Sequence, residues 1–398
     1  MRADLTTFSP VTTSVAGTAV HSNEKPAGIR LLCPTTEALD ACTQALLSQL
    51  EALALRQCVE PSAVPVSTDG GFERRLQLRP DLARIWAPEH DTTSLYLHLE
   101  QGTAQSEFDL EREIISSMLL SPLAFNFPSH AELAATVRIR RNIVVAARKT
   151  ALAFGTAEAE RPEDCWTYVG GKGFVVKPGC ALIPSLIKAT QPEVSGKLYS
   201  FSCYRATEYV ILLGLAQELE RSNPDLLARL QQQWEQRPIM SGQFHDVFLY
   251  EYGSMQAPLP PKYYVPGDRL WFRNPDAHSS DASGYEGSWV FYLGGGLFTN
   301  FWKRGQSFTL TDKCVEVFHW RHATFTDSEG ELRIDEAIVE ERVAQTLADA
   351  TQTAEVMRQM LSLRDPKGVY EAGGCIDTTR EAPRQVCPDT TDIVLPVN

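Results

Sequence analysis

One stretch restricts the fold of this chain more than any other. The run Ser195-Gly-Lys-Leu-Tyr-Ser-Phe-Ser-Cys203 is turn-rich and extended, and at Cys203 it gives way to a long helical pattern. Ala206, Val210, Leu213 and Leu219 recur at helical spacing on one side, with Glu208, Gln217, Glu218 and Glu220 mainly on the others. Asn223-Pro224 predicts where that helix ends, because the residue before a proline is pushed out of the helical region. Three later segments, 244–253, 268–273 and 289–298, are rich in aromatic and β-branched residues and are separated by Pro, Gly, Asp and Ser, which reads as strands. The arrangement expected is α+β, with an antiparallel sheet packed on the Cys203 helix.

The remainder divides around that unit. Residues 1–28 are small and polar and read as a flexible leader. Residues 29–120 read as an N-terminal accessory α/β module, with a helix over 36–55 and a short strand over 95–99. The central unit is expected over 121–330. Ser129 followed by Glu132 forms a capping-box pattern, in which each residue satisfies a free amide of the other, and Leu133, Val137, Ile139, Ile143 and Val144 supply the buried stripe. Gly170, Gly171 and Gly173 suit a hairpin turn within 165–176, since glycine takes positive φ without steric strain. They are too few and too poorly spaced to cradle a phosphate. Gly294, Gly295 and Gly296 read as a bulge or turn, and 311–314 as a helix start before an ambiguous apolar segment. Residues 331–364 carry one long C-terminal helix, and Asp365-Pro366-Lys367-Gly368 ends it before a partly ordered tail over 365–398.

Charge narrows the partners. Fifty acidic residues against 37 basic ones give a net charge of -13, and no basic run of five or more residues occurs, so neither nucleic acid nor an anionic membrane surface is an expected partner. No stretch approaches a membrane span of about 18 apolar residues. The N-terminal residues lack the apolar run of a secretory signal, which predicts a cytoplasmic protein, with signal-independent export as the alternative.

The nine cysteines are an odd number in a chain too large to need disulfide staples. None forms a CxxC pair, and no histidine flanks them at zinc spacing, so no metal or organic cofactor is expected. Cys375 and Cys387 lie close enough in sequence to form a local disulfide in an oxidising compartment. Cys203 stands apart because it falls at a helix start, where unsatisfied amides and the helix dipole favour thiolate, the nucleophilic form. A thiolate there suits attack on a carboxamide carbonyl. The competing reading is a small core residue, since free cysteine is among the most buried residue types.

An ordered series of motifs spans Phe125 to Leu297. Phe127 precedes the 131–148 helix pattern, and Cys165-Trp166-Thr-Tyr leads to Gly173-Phe174 and then to Gly196-x-x-Tyr199-x-Phe201-x-Cys203. Beyond these come Phe244-His245, Gly267-Asp268-x-x-Trp271-Phe272-x-Asn274-Pro275, and Gly287-x-x-Val290-x-x-Leu293-Gly294-x-x-Leu297. This series resembles the spore-coat type of bacterial protein-glutamine gamma-glutamyltransferase, which implies a papain-like, transglutaminase-like core. The resemblance implies that Cys203 is the nucleophile and that Tyr285 stands where the family has a pocket tryptophan. It also places Ser288 and Phe301 where the family has its catalytic glutamate and histidine, and Ser202 where it has an acidic residue before the cysteine.

Other side chains must then activate the thiol. His245, His319 and His322 compete for the role, with His278 behind them, and Glu286 replaces the missing acid if its loop is shifted; otherwise it is an exposed turn residue. Trp166, Tyr199, Tyr285, Trp289, Phe301 and Trp302 make an aromatic pocket wall if they converge, and ordinary core if they do not. The expected activity is cysteine-dependent acyl transfer from a protein glutamine side chain to a lysine or amine, on a protein substrate. A glutamine deamidase or thiol hydrolase on the same core, or a catalytically inactive binding protein, are the alternatives.

Overall fold

The structure, a computed structural model, describes residues 26–62, 66–68, 71–99, 106–155, 159–365 and 373–396; nearly all of the leader expected at 1–28 and residues 366–372 of the expected tail lie outside these. The first sheet is built from β1 (Ile29–Cys33), which is followed by α1 (Thr36–Ala52), and from β2 (Val59–Pro61), β3 (Val66–Thr68) and β4 (Gly71–Leu78). Three helices follow, α2 (Pro80–Trp86), α3 (Tyr96–Leu99) and α4 (Glu107–Leu119), and then β5 (Phe125–Phe127). The strand order is β2-β4-β1-β5, with β3 also on β4. Strand β1 runs antiparallel to β4 and parallel to β5. Residues 95–99, expected as a strand, lie largely in α3. Leu95 and Leu99, both buried, are four apart, a spacing that shares one face in a helix as well as in a strand.

Helix α5 (His130–Lys149) begins as expected, with the Ser129 hydroxyl accepting from Glu132 N at 3.1 Å. The second half of the capping box is not made. The buried Glu132 carboxylate instead accepts from Val386 N at 2.8 Å, Cys387 N at 3.0 Å and the Thr390 hydroxyl, clamping the C-terminal segment. After β6 (Ala153–Phe154) comes the expected glycine hairpin, β7 (Trp166–Val169) and β8 (Gly173–Val176). Helices α6 (Leu182–Thr190) and α7 (Pro192–Ser195) lead to β9 (Ser200–Phe201), which pairs parallel with β6.

Helix α8 (Cys203–Ser222) starts at the cysteine and stops before Pro224, where α9 (Pro224–Gln236) begins. It is not the one-sided helix its pattern implied. Glu208 and Glu218 are buried too, Glu218 because Arg138 of α5 grips it through two bonds of 2.8 and 2.6 Å. Helices α5 and α8 approach closely at Gly214, where an added Cβ would lie 2.6 Å from Ile143 Cγ1.

The second sheet covers the start of α8. Residues 244–248, expected to begin a strand, form α10 (Gly242–Phe248), because Phe244 and Phe248 pack ring against ring at 4.8 Å one helical turn apart. The strands are β10 (Leu249–Gly253), β11 (Arg269–Arg273), then after α11 (Ala277–Ser280) β12 (Gly287–Gly294), β13 (Leu297–Phe298) and β14 (Phe308–Thr309). Helix α12 (Leu310–Trp320) opens on a capping box of Thr309 and Asp312, slightly before the expected start. A small hairpin, β15 (Thr324–Thr326) and β16 (Leu332–Ile334), precedes α13 (Glu336–Leu347) and α14 (Ala350–Met360). The single long helix expected here is two helices, because Asp349 turns its carboxylate onto Thr351 N and Gln352 N and caps a new start.

The region expected to be a partly ordered tail supplies β17 (Thr379–Pro383), which sits inside the sheet in the order β10-β17-β11-β12-β13-β14. Mixed α+β layers with helices against a central sheet result, consistent with the expected class. One hydrophobic cluster runs from Ile29 and Leu31 through α5 and α8 to Ile393 and Leu395. A second joins β11, β12 and α12 to α14. Gly214→Ala should therefore overpack the α5–α8 contact and lower stability by about 1–3 kcal/mol, read as a lower urea midpoint at unchanged slope.

Candidate active site

Cys203 is the first residue of α8, and Ser202 caps the helix by accepting from Arg205 N at 3.3 Å. The sulfur meets strand β12 for a reason set by strand alternation. Tyr292 N donates toward β11, to Asp268 O at 3.1 Å, whereas Phe291 exchanges bonds with Thr299 on the other side. Trp289 shares the orientation of Phe291, so its N–H points away from β11. That amide and the Tyr204 amide both act on the Cys203 sulfur and favour its thiolate form.

Burial nevertheless pushes the Cys203 thiol pKa up, outweighing the two amides and the Lys313 ammonium; the Glu286 carboxylate also raises it. The helix start was expected to make Cys203 a thiolate. Its contribution is present, but loss of water is the larger effect.

An aromatic frame is built on Tyr204 and Trp289, the two residues whose amides act on the thiol. Tyr204 stands edge-on to Trp289 at 5.5 Å, and Trp289 stacks on Trp271 at 6.0 Å with ring planes 13° apart. Gly287 makes room for this: an added Cβ there would lie 2.0 Å from Trp271 Nε1. The buried Arg269 guanidinium lies 4.4 Å from the Tyr204 ring centre and 4.2 Å from that of Trp289.

The expected site residues distribute unevenly around this frame. Trp289 belongs to it, and the exposed Glu286 acts on the thiol electrostatically. His245 lies on α10 rather than on a strand, and its Nδ1 meets Glu381 Oε1 at 3.0 Å, a carboxylate contact that raises its pKa. Through Glu381 Oε2, 3.0 Å from Arg269 Nη1, His245 reaches the back of the aromatic frame rather than the sulfur. His319 is held between Thr346 Oγ1 at 2.7 Å and His322 Nδ1 at 3.1 Å, against α13. Tyr285 donates to Glu336 Oε1 at 2.9 Å and packs edge-on to Trp320.

Trp166 is 2% exposed, donates to Ser185 O at 2.9 Å and packs on Tyr209, so it is a core pillar and not a pocket wall. Phe301 is likewise core, against Phe291, while Trp302 packs on Phe154. The expected aromatic wall therefore does not form as one surface. No histidine among the described residues belongs to the leading influences on the Cys203 thiol. Reading the sequence alone missed Arg269, Glu381 and Lys313. Trp271 was visible only as part of a motif.

The Cys375–Cys387 pairing does not occur. Cys375 lies 3.6 Å from Cys314, both as free thiols, while Cys387 sits by Glu132. A cleft between β5 and β10, lined by Phe125, Asn126, Tyr250, Tyr252, Gln385 and Asp392, reaches none of the residues around Cys203. No described helix is long and apolar enough to cross a membrane.

Two measurements follow from these environments. Alkylation of Cys203 by iodoacetamide, followed by peptide mass spectrometry, should reach half its plateau rate at a higher pH than a free cysteine peptide does, because the raised thiol pKa delays thiolate formation. Burial holds the His319 pKa down to about 4 from an ordinary 6.5. The unfolded chain therefore takes up a proton there that the folded chain refuses, so His319 favours the fold fully above pH 6.5 and progressively less as pH falls toward 4. His319→Gln should flatten the dependence of the urea midpoint on pH across that window.

Comparison with known proteins bears on what this site is. Residues 92–382 match the sequence profile of the family Protein-glutamine gamma-glutamyltransferase. No curated protein shows a significant match to the chain. Among solved structures, the chain is similar to a transglutaminase from Geobacillus stearothermophilus, without its C-terminal extension, at 19% identity. That alignment covers 54% of this chain and 98% of the other, with a TM-score of 0.36. Because the family match takes in well over half of the 398 residues, including Cys203 and the whole aromatic frame, this chain belongs to the protein-glutamine gamma-glutamyltransferase family.

Proposed function

We propose that the chain catalyses cysteine-dependent acyl transfer on protein glutamine side chains, with Cys203 as nucleophile. The observation that carries this reading is the thiol itself: it sits at the start of α8, within the family-matched region, with the Trp289 and Tyr204 amides directed at its sulfur. Glu286 is the carboxylate whose charge acts on the thiol, and the role left open by Ser288 is assigned to it. It accepts the thiol proton, and Lys313 offsets the thiolate charge that results.

The steps follow from that assignment. Cys203 Sγ bonds to the glutamine carboxamide carbon, the carbon–nitrogen bond breaks, and ammonia leaves with the proton returned by Glu286. A thioester remains. A lysine amine attacks its carbonyl, forms an amide and releases the sulfur; water in its place gives glutamate. Trp289 and Trp271, both half-buried, add apolar surface at their exposed ring edges, which suits an uncharged glutamine side chain or a lysine stem.

The burial of the thiol and the core position of Phe301 favour a second reading, a binding protein on an idle core. The two separate in one experiment. Incubation with a glutamine-bearing protein and a small primary amine should give amine-modified glutamine detectable by mass spectrometry, abolished by Cys203→Ala. Glu286→Gln should reduce the rate by about 10²-fold or more. Deamidation without amine uptake, even with amine in excess, supports the hydrolase alternative. No modified glutamine and no acyl adduct on Cys203 would falsify the enzymatic reading.

A further inference from the structure

We infer that Arg269 is a positioning residue for Cys203, and that Glu381 of β17 holds Arg269 in place. The inference rests on the reading of Cys203 as the reacting thiol and adds the means by which its surroundings are fixed.

Arg269 is 1% exposed at the start of β11. A guanidinium keeps its charge at any ordinary pH, so burying it requires compensation close at hand. One source is Glu381, which stands directly opposite in the β11–β17 register, with Oε2 3.0 Å from Nη1. The other is aromatic: the guanidinium lies over Tyr204 and Trp289 at 4.4 and 4.2 Å, within the range of cation–π attraction. None of its nitrogens makes a well-aligned hydrogen bond, so ring faces and one carboxylate hold it. The buried Glu208 of α8 adds a further negative charge nearby.

The two rings belong to the two residues whose main-chain N–H groups meet the Cys203 sulfur. A side chain and the amide of the same residue share one Cα, so a ring held in place restrains the orientation of that amide. Trp289 is also held from its other side by Trp271, whereas Tyr204 leans on Arg269 and on the edge of Trp289. The chain of contacts thus runs from His245 through Glu381 and Arg269 to the rings, and ends on the amides at the thiol. Buried ion pairs often add nothing to stability when replaced by apolar residues of similar size. A pair of this kind beside Tyr204 and Trp289 is better accounted for by placement of their amides than by support of the sheet.

The test uses the full chain and reads the thiol directly. In R269M/E381Q both charges are removed together, so neither is left unpaired. This variant should keep a cooperative urea transition, yet alkylate at Cys203 about tenfold more slowly at a given pH, as amides that are no longer aligned stabilise the thiolate less. Its rate–pH curve should move to higher pH, and kcat for amine uptake should fall with KM little changed. R269K keeps the charge without the planar stack, so its curve should move in the same direction by less. A folded R269M/E381Q whose alkylation curve superimposes on that of the unsubstituted protein overturns the inference. Should R269M/E381Q fail to fold, R269K decides: a displaced curve supports the assignment, and an unmoved one overturns it. Alkylation needs no acyl donor, so failure of amine transfer in the unsubstituted protein would sink the transferase reading while leaving the Arg269 result intact.

Discussion

The buried ion pair of Arg140 and Asp268 ties the helical layer to the second sheet, and the placement of the thiol depends on it. Arg140 Nη1 lies 2.7 Å from Asp268 Oδ1, both side chains are fully buried, and the second carboxylate oxygen accepts from Val265 N and the Tyr252 hydroxyl. Breaking one side of so enclosed a pair costs about 3–5 kcal/mol, because the remaining charge is stranded without water. Asp268 immediately precedes β11, so the pair sets where β11 begins relative to α5. Gly267, at φ +87 and with an added Cβ only 2.9 Å from Arg140 Cα, lets the chain pass that close. Since α5 also carries α8 at Gly214, one helix positions both the strand that bears Arg269 and the helix that starts at Cys203.

The environment of Cys203 shows two opposing effects at one atom. A strand amide of Trp289, a helix amide of Tyr204 and a nearby ammonium favour thiolate, and removal of water disfavours it by more. The groups in the balance come from separate parts of the chain: α8, the loop before β12, β12 itself and α12. The aromatic frame behind the thiol draws on β11 and β17 as well.

Much of the local structure was legible in the residue pattern. The Ser129 cap, the glycine hairpin at 170–173 and the span of α8 all rest on contacts between residues close in sequence. The errors occurred where one pattern serves two structures. Phe244 and Phe248 lie four apart and satisfy helix and strand alike, and the apolar spacing through 334–363 continues across a break that Asp349 imposes by capping. The partners of the thiol were the least legible. Three histidines were plausible by residue type, yet His319 is used by Thr346 and His322, and His245 is turned to Glu381.

The sequence by itself determined the thiol at a helix start, the extended approach that precedes it and the Asn223-Pro224 step that ends the helix. These are properties of short-range periodicity, capping chemistry and residue type. Only the tertiary structure decided that β17 enters the sheet between β10 and β11, that Glu132 reaches across the chain to hold the C-terminal segment, and that Arg269 stands between Glu381 and the rings beside Cys203. Each of those depends on which buried charge finds which partner. That choice is made by the packing of distant segments and leaves no periodic trace along the chain.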